Sequence, residues 1–561
     1  MSDYKDDKVA IAHVTANPLW TTRREDESSF KYFLRLLVSR KSIENIMAEG
    51  DTSKMRRTLS AWDLTFLGVG CIIGGGIFVL TGVAAAKYAG PAIIISFIVA
   101  AVCAALAAFS YSELASMVPI SGSAYTYTYA TMGEFMAWII GWDLILEYLV
   151  GAATVAVSWS SYLVAFFSDA FHVTLDPRTT SSPVIWTDSS FVTTGNIINI
   201  PAILIVLIVT LVLVLGVRES AMVNTIAVVI KVLVVLIFVF GACGRVNPDN
   251  YKPFIPPAED GKYGGLGIIK GAKTVFFAYI GFDAVTTAAQ EAKNPKRDLP
   301  IGIIASLVIC TTLYIATAAV VVGLRPYYEL DVAHPISFAL EQMSNTRWLR
   351  IIVDIGAIAG LLSVMLILMM GQPRIFHTMA KDGLLPRVFS RLHPRFRTPF
   401  VPTILTGVCC AVLAGFLPVD ILGDMTSVGT LLAFLLVHIG VIILRFTRPE
   451  MPRGFRVPLG PFVFPVLGSL ISIALIVLSD PSTIYRLFIW LGIGVIVYAI
   501  YGRRHSKVNF PTNDDVDEVH AAAAAQTRAA QEGSEMIESH ADAPAPTHGN
   551  GYTATRTSVD L

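Results

Sequence analysis

Three consecutive glycines, Gly74, Gly75 and Gly76, sit inside the first strongly apolar stretch of the chain, between Ile72-Ile73 and Ile77. Each weakens a helix by about 1 kcal/mol relative to alanine, and backbone groups freed at membrane depth are tolerated only where they face protein or a water-filled cavity. The pattern therefore predicts a membrane helix that breaks at a binding site. A second half-helix starting near Gly75 and Gly76 presents unpaired N–H groups and a positive dipole end to a carboxylate. The carbonyls left over at Ile72 and Ile73 can accept from an ammonium group. The theme returns in TVFFAYIGFDAVTTAAQ at 274–290, where Gly281 lies among aromatic residues, with carbonyls around Phe277, Ala278 and Ile280 and a buried-looking Asp283 just after. A lone membrane glycine is ordinarily a packing residue. Set beside the triple glycine, Gly281 reads as a second break, and an α-amino acid needs what both breaks offer together.

Ionisable residues inside apolar stretches are the other candidates. Lys231 lies near the middle of the fifth such stretch, where a lysine costs roughly 2.5 to 3.5 kcal/mol on insertion scales. Two readings are open: a fixed ammonium bonded to broken-helix carbonyls, or a desolvated lysine that exchanges a proton during transport. Glu147, in GWDLILEYLVG, has Asp143 one helical turn earlier on the same face. Glu147 could pair with Lys231, pass a proton, bind a cationic side chain, or be a buried acid held by hydroxyls. Asp283 also invites a cationic side chain.

These residues must be held by membrane helices. Of 561 residues, 54% are apolar, the mean hydropathy is +0.62, and apolar runs recur from about Ala61 to about Tyr501, which describes an all-α polytopic membrane protein. Twelve spans are expected, centred near residues 73, 104, 147, 208, 231, 280, 311, 362, 408, 435, 469 and 492. Spans one to five and six to ten then form two inverted repeats whose first helices are broken. Alternate loops carry the basic residues, among them Lys296, Arg387 and Arg453, whereas the segment from Pro418 to Asp424 has almost none. The positive-inside rule puts both termini in the cytoplasm, in agreement with an even span count. The expected organisation is a cytoplasmic N-terminal region over 1–60, a transmembrane domain over 61–502 and a disordered cytoplasmic tail over 503–561. Within the first, FKYFLRLLVSRKSIENIMAE at 30–49 has the pattern of an amphipathic helix on the membrane surface, and the polar first 29 residues do not form a cleavable signal. The tail has too few aromatic residues to fold alone. The 42 basic and 42 acidic residues balance, which argues against nucleic acid as a partner, and six scattered cysteines without CxxC spacing suggest neither metal nor disulfide.

Four longer motifs, GGGIFVLTG at 74–82, YSELASMVPISGSAYTYTY at 111–129, FFAYIGFDAVTTAAQEAKNPKRDLPIGI at 276–303 and MAKDGLLP at 379–386, closely resemble the amino acid-polyamine-organocation superfamily, specifically its cationic amino acid transporter family. The resemblance runs from about Ser42 to Tyr501. Its vertebrate members have fourteen spans, and this chain resembles the twelve-span bacterial-type branch. The resemblance implies that Lys231 stands where sodium-coupled relatives bind a cation, hence proton rather than sodium coupling, and that Glu147 is the foremost acidic candidate.

The sequence thus points to a secondary transporter in the plasma membrane that carries amino acids, cationic ones such as arginine, lysine and ornithine or also neutral ones, by proton-linked alternating access. Its expected partners are the amino acid, protons and membrane lipids, with no cofactor. An amino acid sensor using the same pocket without flux is the alternative. On span eight, an inward Leu361 or Leu362 favours small neutral substrates, and an inward Gly360 or Ser363 leaves room for a long cationic chain. Glu113, Glu291, Arg297 and Arg374 are candidates for ion pairs that gate the cytoplasmic face. No filter motif suggests a channel, and no Walker loop, nucleophile elbow or HExxH site suggests an enzyme.

Overall fold

The structure, a computed structural model, describes residues 58–510 except 119–122, 188–189, 217–220, 260–261, 342, 344 and 397, together with residues 28, 31, 35–41, 43 and 46. Span one comprises Ala61–Ile72 and, after a break, the helical segments Gly76–Leu80, Thr81–Ala84 and Ala85–Ala89. Span two is Ile93–Met117, span three Glu134–Phe171, span four Ile200–Leu215 and span five Ala221–Cys243. Span six runs through Gly264–Val275 and a tight turn at Phe276–Tyr279, then resumes at Ala284–Thr287. Spans seven to ten are Pro295–Leu324, Arg347–Lys381, Phe400–Phe416 and Val419–Thr447, and spans eleven and twelve are Gly460–Val477 and Pro481–Val497. Among the described residues nine helices are long and apolar enough to cross a membrane, and three shorter apolar ones are Ala61–Ile72, Ile200–Leu215 and Phe400–Phe416. Joining the halves of span one across its break, and separating its second half from span two, gives the expected twelve crossings.

Sequence signals place the ends. Ser60 and Asp63 form a reciprocal capping box at the start of span one, which satisfies two of the first-turn donors. Asn199 caps span four through the Ala202 N–H at 3.2 Å. Gly216, at φ +76°, closes that helix in the left-handed conformation.

Four spans lie between the two broken helices, an even number, so spans one and six enter from opposite sides. The packing follows the same inversion. Span two packs on seven, three on eight and four on nine, while the contact of one with seven is matched by that of six with two, and three with ten by eight with five. Large apolar side chains such as Leu204, Leu211, Leu470, Phe488 and Ile489 on spans four, eleven and twelve stay exposed, as lipid-facing positions do. A short hairpin pairs Val184–Thr187 with Ser190–Thr193 in the loop after span three.

The side from which span one enters is called the near side. There, Glu134 at the start of span three accepts from Tyr129 at 3.1 Å, Tyr498 at 2.8 Å, Asn509 at 2.9 Å and Ser506. Asp382 accepts from Tyr125 at 2.7 Å and pairs with Lys41 at 2.8 Å. Of the amphipathic helix expected over 30–49, helical turns are described at Lys31, at 35–37 and at Ile43 and Ile46, with Leu36, Ile43 and Ile46 buried and Lys31 exposed. The remainder of that segment and the tail from 511 onward lie outside the described residues.

Candidate functional site

The first break is set by close approach. The helix of span one ends at Ile72, Ile73 turns extended at φ −72°, ψ 98°, and the backbone returns to helical angles at Gly75. A Cβ on Gly76 would lie 2.2 Å from the Cα of Ala278, so only glycine lets the two broken spans meet. In span six Ile280 is extended and Gly281 adopts φ +111°, where a Cβ would fall 3.0 Å from the Cys71 Cβ and carbonyl oxygen. Each glycine break thus packs against the other span's backbone.

A cavity opens where the breaks meet. Cys71, Ile72, Gly74, Gly75, Gly76, Phe277 and Ile280 line it from spans one and six, Glu147, Gly151 and Val155 from span three, and Val364 and Leu368 from span eight. An adjoining cavity shares Cys71, Glu147, Ile280, Val364 and Leu368 and adds Tyr148, Gly281, Asp283, Ala284 and Ile367. Measured as space open to the centre of a water molecule they are about 20 and 10 Å3, room for single waters, so the site is closed down in this conformation.

Ile73, Ala278 and Lys231 stand just behind the wall. The Lys231 ammonium donates to the carbonyls of Gly70 at 2.7 Å and Ile73 at 3.4 Å, at the end of a half-helix where the dipole is negative. Its stem covers Gly360. The Ile72 and Ala278 carbonyls face Tyr314 of span seven, whose hydroxyl lies 2.6 and 2.8 Å from them and so straddles both breaks. The Phe277 carbonyl accepts the N–H of Ile280 at 3.2 Å. The Ile73 and Phe277 carbonyls therefore already hold protein donors in this conformation, and those of Ile72 and Ala278 share the single Tyr314 proton, each keeping a lone pair for a substrate ammonium. The first-turn amides from Gly74 to Gly76 have no partner within their own half-helix, as at any helix start.

The acids divide. Asp283 accepts from Tyr148 at 3.3 Å and Ser123 at 3.4 Å. Glu147 has Thr430 of span ten as its hydroxyl neighbour, and its second oxygen is buried without a partner. Asp143 does not reach the cavity; it lies against Gly429 of span ten with both oxygens unpartnered.

Two expectations are corrected. On span eight, none of Gly360, Leu361, Leu362 and Ser363 lines the cavity. Its wall is Val364, Ile367 and Leu368, a turn further along, because Gly360 is occupied by Lys231 and Phe78 and the Ser363 hydroxyl bonds back to the Gly360 carbonyl. At the near-side face the four gate candidates Glu113, Glu291, Arg297 and Arg374 form no ion pair with one another. Glu113 is buried and holds Arg445 in a two-point contact at 2.6 Å, Arg453 at 3.2 Å and the Val457 N–H at 2.8 Å, because the chain after span ten folds back over the end of span two. Arg374 is exposed. On the far side, Lys273 of span six pairs with Asp424 at 3.0 Å, and Lys87 of span one with Asp420 at 3.2 Å.

Sequence reading missed Tyr314, Tyr148, Gly151, Val155 and the span-eight wall. Tyr314 carried a faint signal as a polar aromatic near the middle of a membrane helix.

Comparison with known proteins fits this architecture. Residues 59–499 match the family described as amino acid permease. The chain is 43% identical to the methylthioribose transporter of Bacillus subtilis over 84% of this chain and 99% of that protein. It is 45% identical to a branched-chain amino acid permease of the same organism over 84% and 98%, and 40% identical to the vacuolar cationic amino acid transporter 4 of Arabidopsis thaliana over 74% and 68%. With helices broken at matching places and that match across nearly the whole membrane domain, this chain belongs to the amino acid permease family of the amino acid-polyamine-organocation superfamily, whose members are integral membrane transporters rather than enzymes.

Proposed function

We propose that the chain carries a cationic amino acid by alternating access, in symport with a proton. The observation that bears most of the weight is the pair of joined cavities. One has the first-turn amides of Gly74 to Gly76 at its wall, fit for an α-carboxylate, and the other has Glu147 and Asp283, fit for the cationic end of an arginine, lysine or ornithine side chain. Substrate entry requires the span-eight wall and the breaks to part, as alternating access demands. Lys231, held by the carbonyls of the first half of span one, is suited to couple a protonation change to movement of that half-helix. The basic loops on the near side support a cytoplasmic location for both termini, in the plasma membrane.

A neutral substrate is the second reading. The apolar wall of Val364, Ile367 and Leu368 favours it, as does the 45% identity to a branched-chain amino acid permease. Uptake of labelled arginine, leucine and alanine into proteoliposomes without sodium, with and without an inward proton gradient, separates these readings. Gradient-driven arginine accumulation supports the proposal, and leucine preference selects the neutral reading. Equilibration indifferent to pH refutes coupling, and binding without flux makes the protein a sensor.

A further inference from the structure

Span eight carries another buried acid, away from the cavity. Asp354 lies ten residues before Val364, about 15 Å along the helix toward the far side. It is fully buried, and its carboxylate oxygens have no hydrogen-bond partner beyond the adjacent Ser337 hydroxyl. A carboxylate sealed from water with a single hydroxyl donor costs several kcal/mol, so a group so placed is neutral or must regain water.

What seals it is the loop between spans seven and eight. The short helix Pro335–Glu341 packs on span eight and on the second half of span one. Pro335 sits so close to Gly82 that a Cβ there would lie 2.3 Å from it. Ser337, a buried residue of this helix, lies beside Asp354. Tyr162 of span three, near enough to feel the Asp354 charge, donates to the Phe78 carbonyl of span one at 2.6 Å and meets the His334 ring edge-on at 6.4 Å. The carboxyl, the loop helix and the outer half of span one therefore form one contact set.

The one cation that favours its charged form, Arg350, is shared with another acid. Arg350, a turn earlier, is engaged by Asp169 of span three at 2.8 Å. Lys231 of span five is two turns further in, against Gly360. Burial holds the His334 imidazole below its ordinary value despite the nearby Glu341, so it brings no positive charge at neutral pH.

We infer that Asp354 is a proton-binding site of the far-side lid: its carboxyl takes a proton from far-side water as the helix Pro335–Glu341 closes over it, and returns the proton when the helix lifts. Acidity on that side then favours the closed lid. The consequence for uptake rests on the alternating-access reading; protonation of Asp354 under the closed helix does not.

The test uses the full chain in liposomes. Dicyclohexylcarbodiimide, across whose C=N bond a protonated carboxyl in apolar surroundings adds to give an O-acylisourea that rearranges to a stable N-acylurea, is applied between about pH 5 and 8 and its adducts are mapped by peptide mass spectrometry. Labelling of Asp354 that declines as pH rises is expected, and absence of label at Asp354 at every pH overturns the proposal even if the protein transports nothing. In uptake, Asp354→Asn is expected to flatten the far-side pH dependence at least threefold, while Asp354→Glu keeps it. An Asp354→Asn profile that matches the wild type assigns the acid to packing and also overturns the inference. Should that variant fail to reach the membrane, the labelling of the unaltered chain decides.

Discussion

Replacing Gly76 with alanine probes the junction of the two breaks with a single methyl group. That methyl would sit 2.2 Å from the Ala278 Cα, whereas carbon atoms rest at about 3.5 to 4 Å. The breaks must therefore separate by roughly 1.5 Å, and the obstacle is backbone rather than a side chain that can rotate. Overpacking of this kind costs typically 1 to 3 kcal/mol, a factor of about 5 to 150 in an equilibrium. The gain in helix propensity from glycine to alanine, about 1 kcal/mol, acts in the other direction and is smaller than the upper part of that range. Gly75→Ala is the internal control, because the nearest atom its Cβ would meet is the Ser158 hydroxyl oxygen, at 3.3 Å, which can turn aside, while Phe277 and Leu361 lie at ordinary contact distances of 3.6 and 3.9 Å. Net of the propensity gain the cost is up to about 2 kcal/mol, so initial uptake rates in proteoliposomes, normalised to reconstituted protein, should fall by about ten- to thirtyfold for Gly76→Ala, whose obstacle is backbone, and less than threefold for Gly75→Ala. Gly75→Val, too bulky for the cavity wall, should abolish uptake while leaving membrane expression intact. Wild-type rates for Gly76→Ala would refute the claim that contact between the breaks shapes the site.

Three further outcomes follow from the same geometry. Lys231→Ala leaves the Gly70 and Ile73 carbonyls without their ammonium and should lose proton-driven accumulation; an unchanged pH dependence of uptake would make Lys231 a fixed structural cation. Asp283→Asn removes a charge from the second cavity and should depress arginine uptake about tenfold relative to leucine, in line with 1.5 to 3 kcal/mol for a hydrogen bond to a charged group, as competition assays would show. Glu113→Ala strands Arg445 and Arg453, and loss of one partner from a buried ion cluster costs about 3 to 5 kcal/mol. Thermal unfolding in detergent should therefore drop by several degrees for Glu113→Ala and stay unchanged for the exposed Arg374→Ala.

Much of the framework was legible in the sequence because its signals are local. Glycines interrupting apolar helices marked both breaks, and Ile72, Gly74, Gly75, Gly76, Glu147, Phe277, Ile280 and Asp283 do line the joined cavities. Ile73, Ala278 and Lys231 are one layer removed, since a break fixes which residues are near but not which way each carbonyl turns. The span-eight wall was misplaced by a turn. The middle stretch of span eight, 355–371, is apolar but for Ser363 and has too little polar face to report its rotation, and its depth depends on where Lys231 and Phe78 pack against it. Tyr314 and Tyr162 escaped for a related reason: each reaches a carbonyl far away in the chain, Ile72 and Phe78, that only the fold brings near. The Glu113 cluster joins residues 332 apart to Arg445 and 340 apart to Arg453, beyond any local pattern.

The most direct measurement is a cryo-EM structure of the protein saturated with the amino acid that uptake experiments identify. The account predicts substrate density between the two breaks, its carboxylate within hydrogen-bond distance of the Gly75 and Gly76 amides and its side chain directed toward Glu147 and Asp283. Density lodged elsewhere, with the junction of spans one and six still closed on itself, would contradict it.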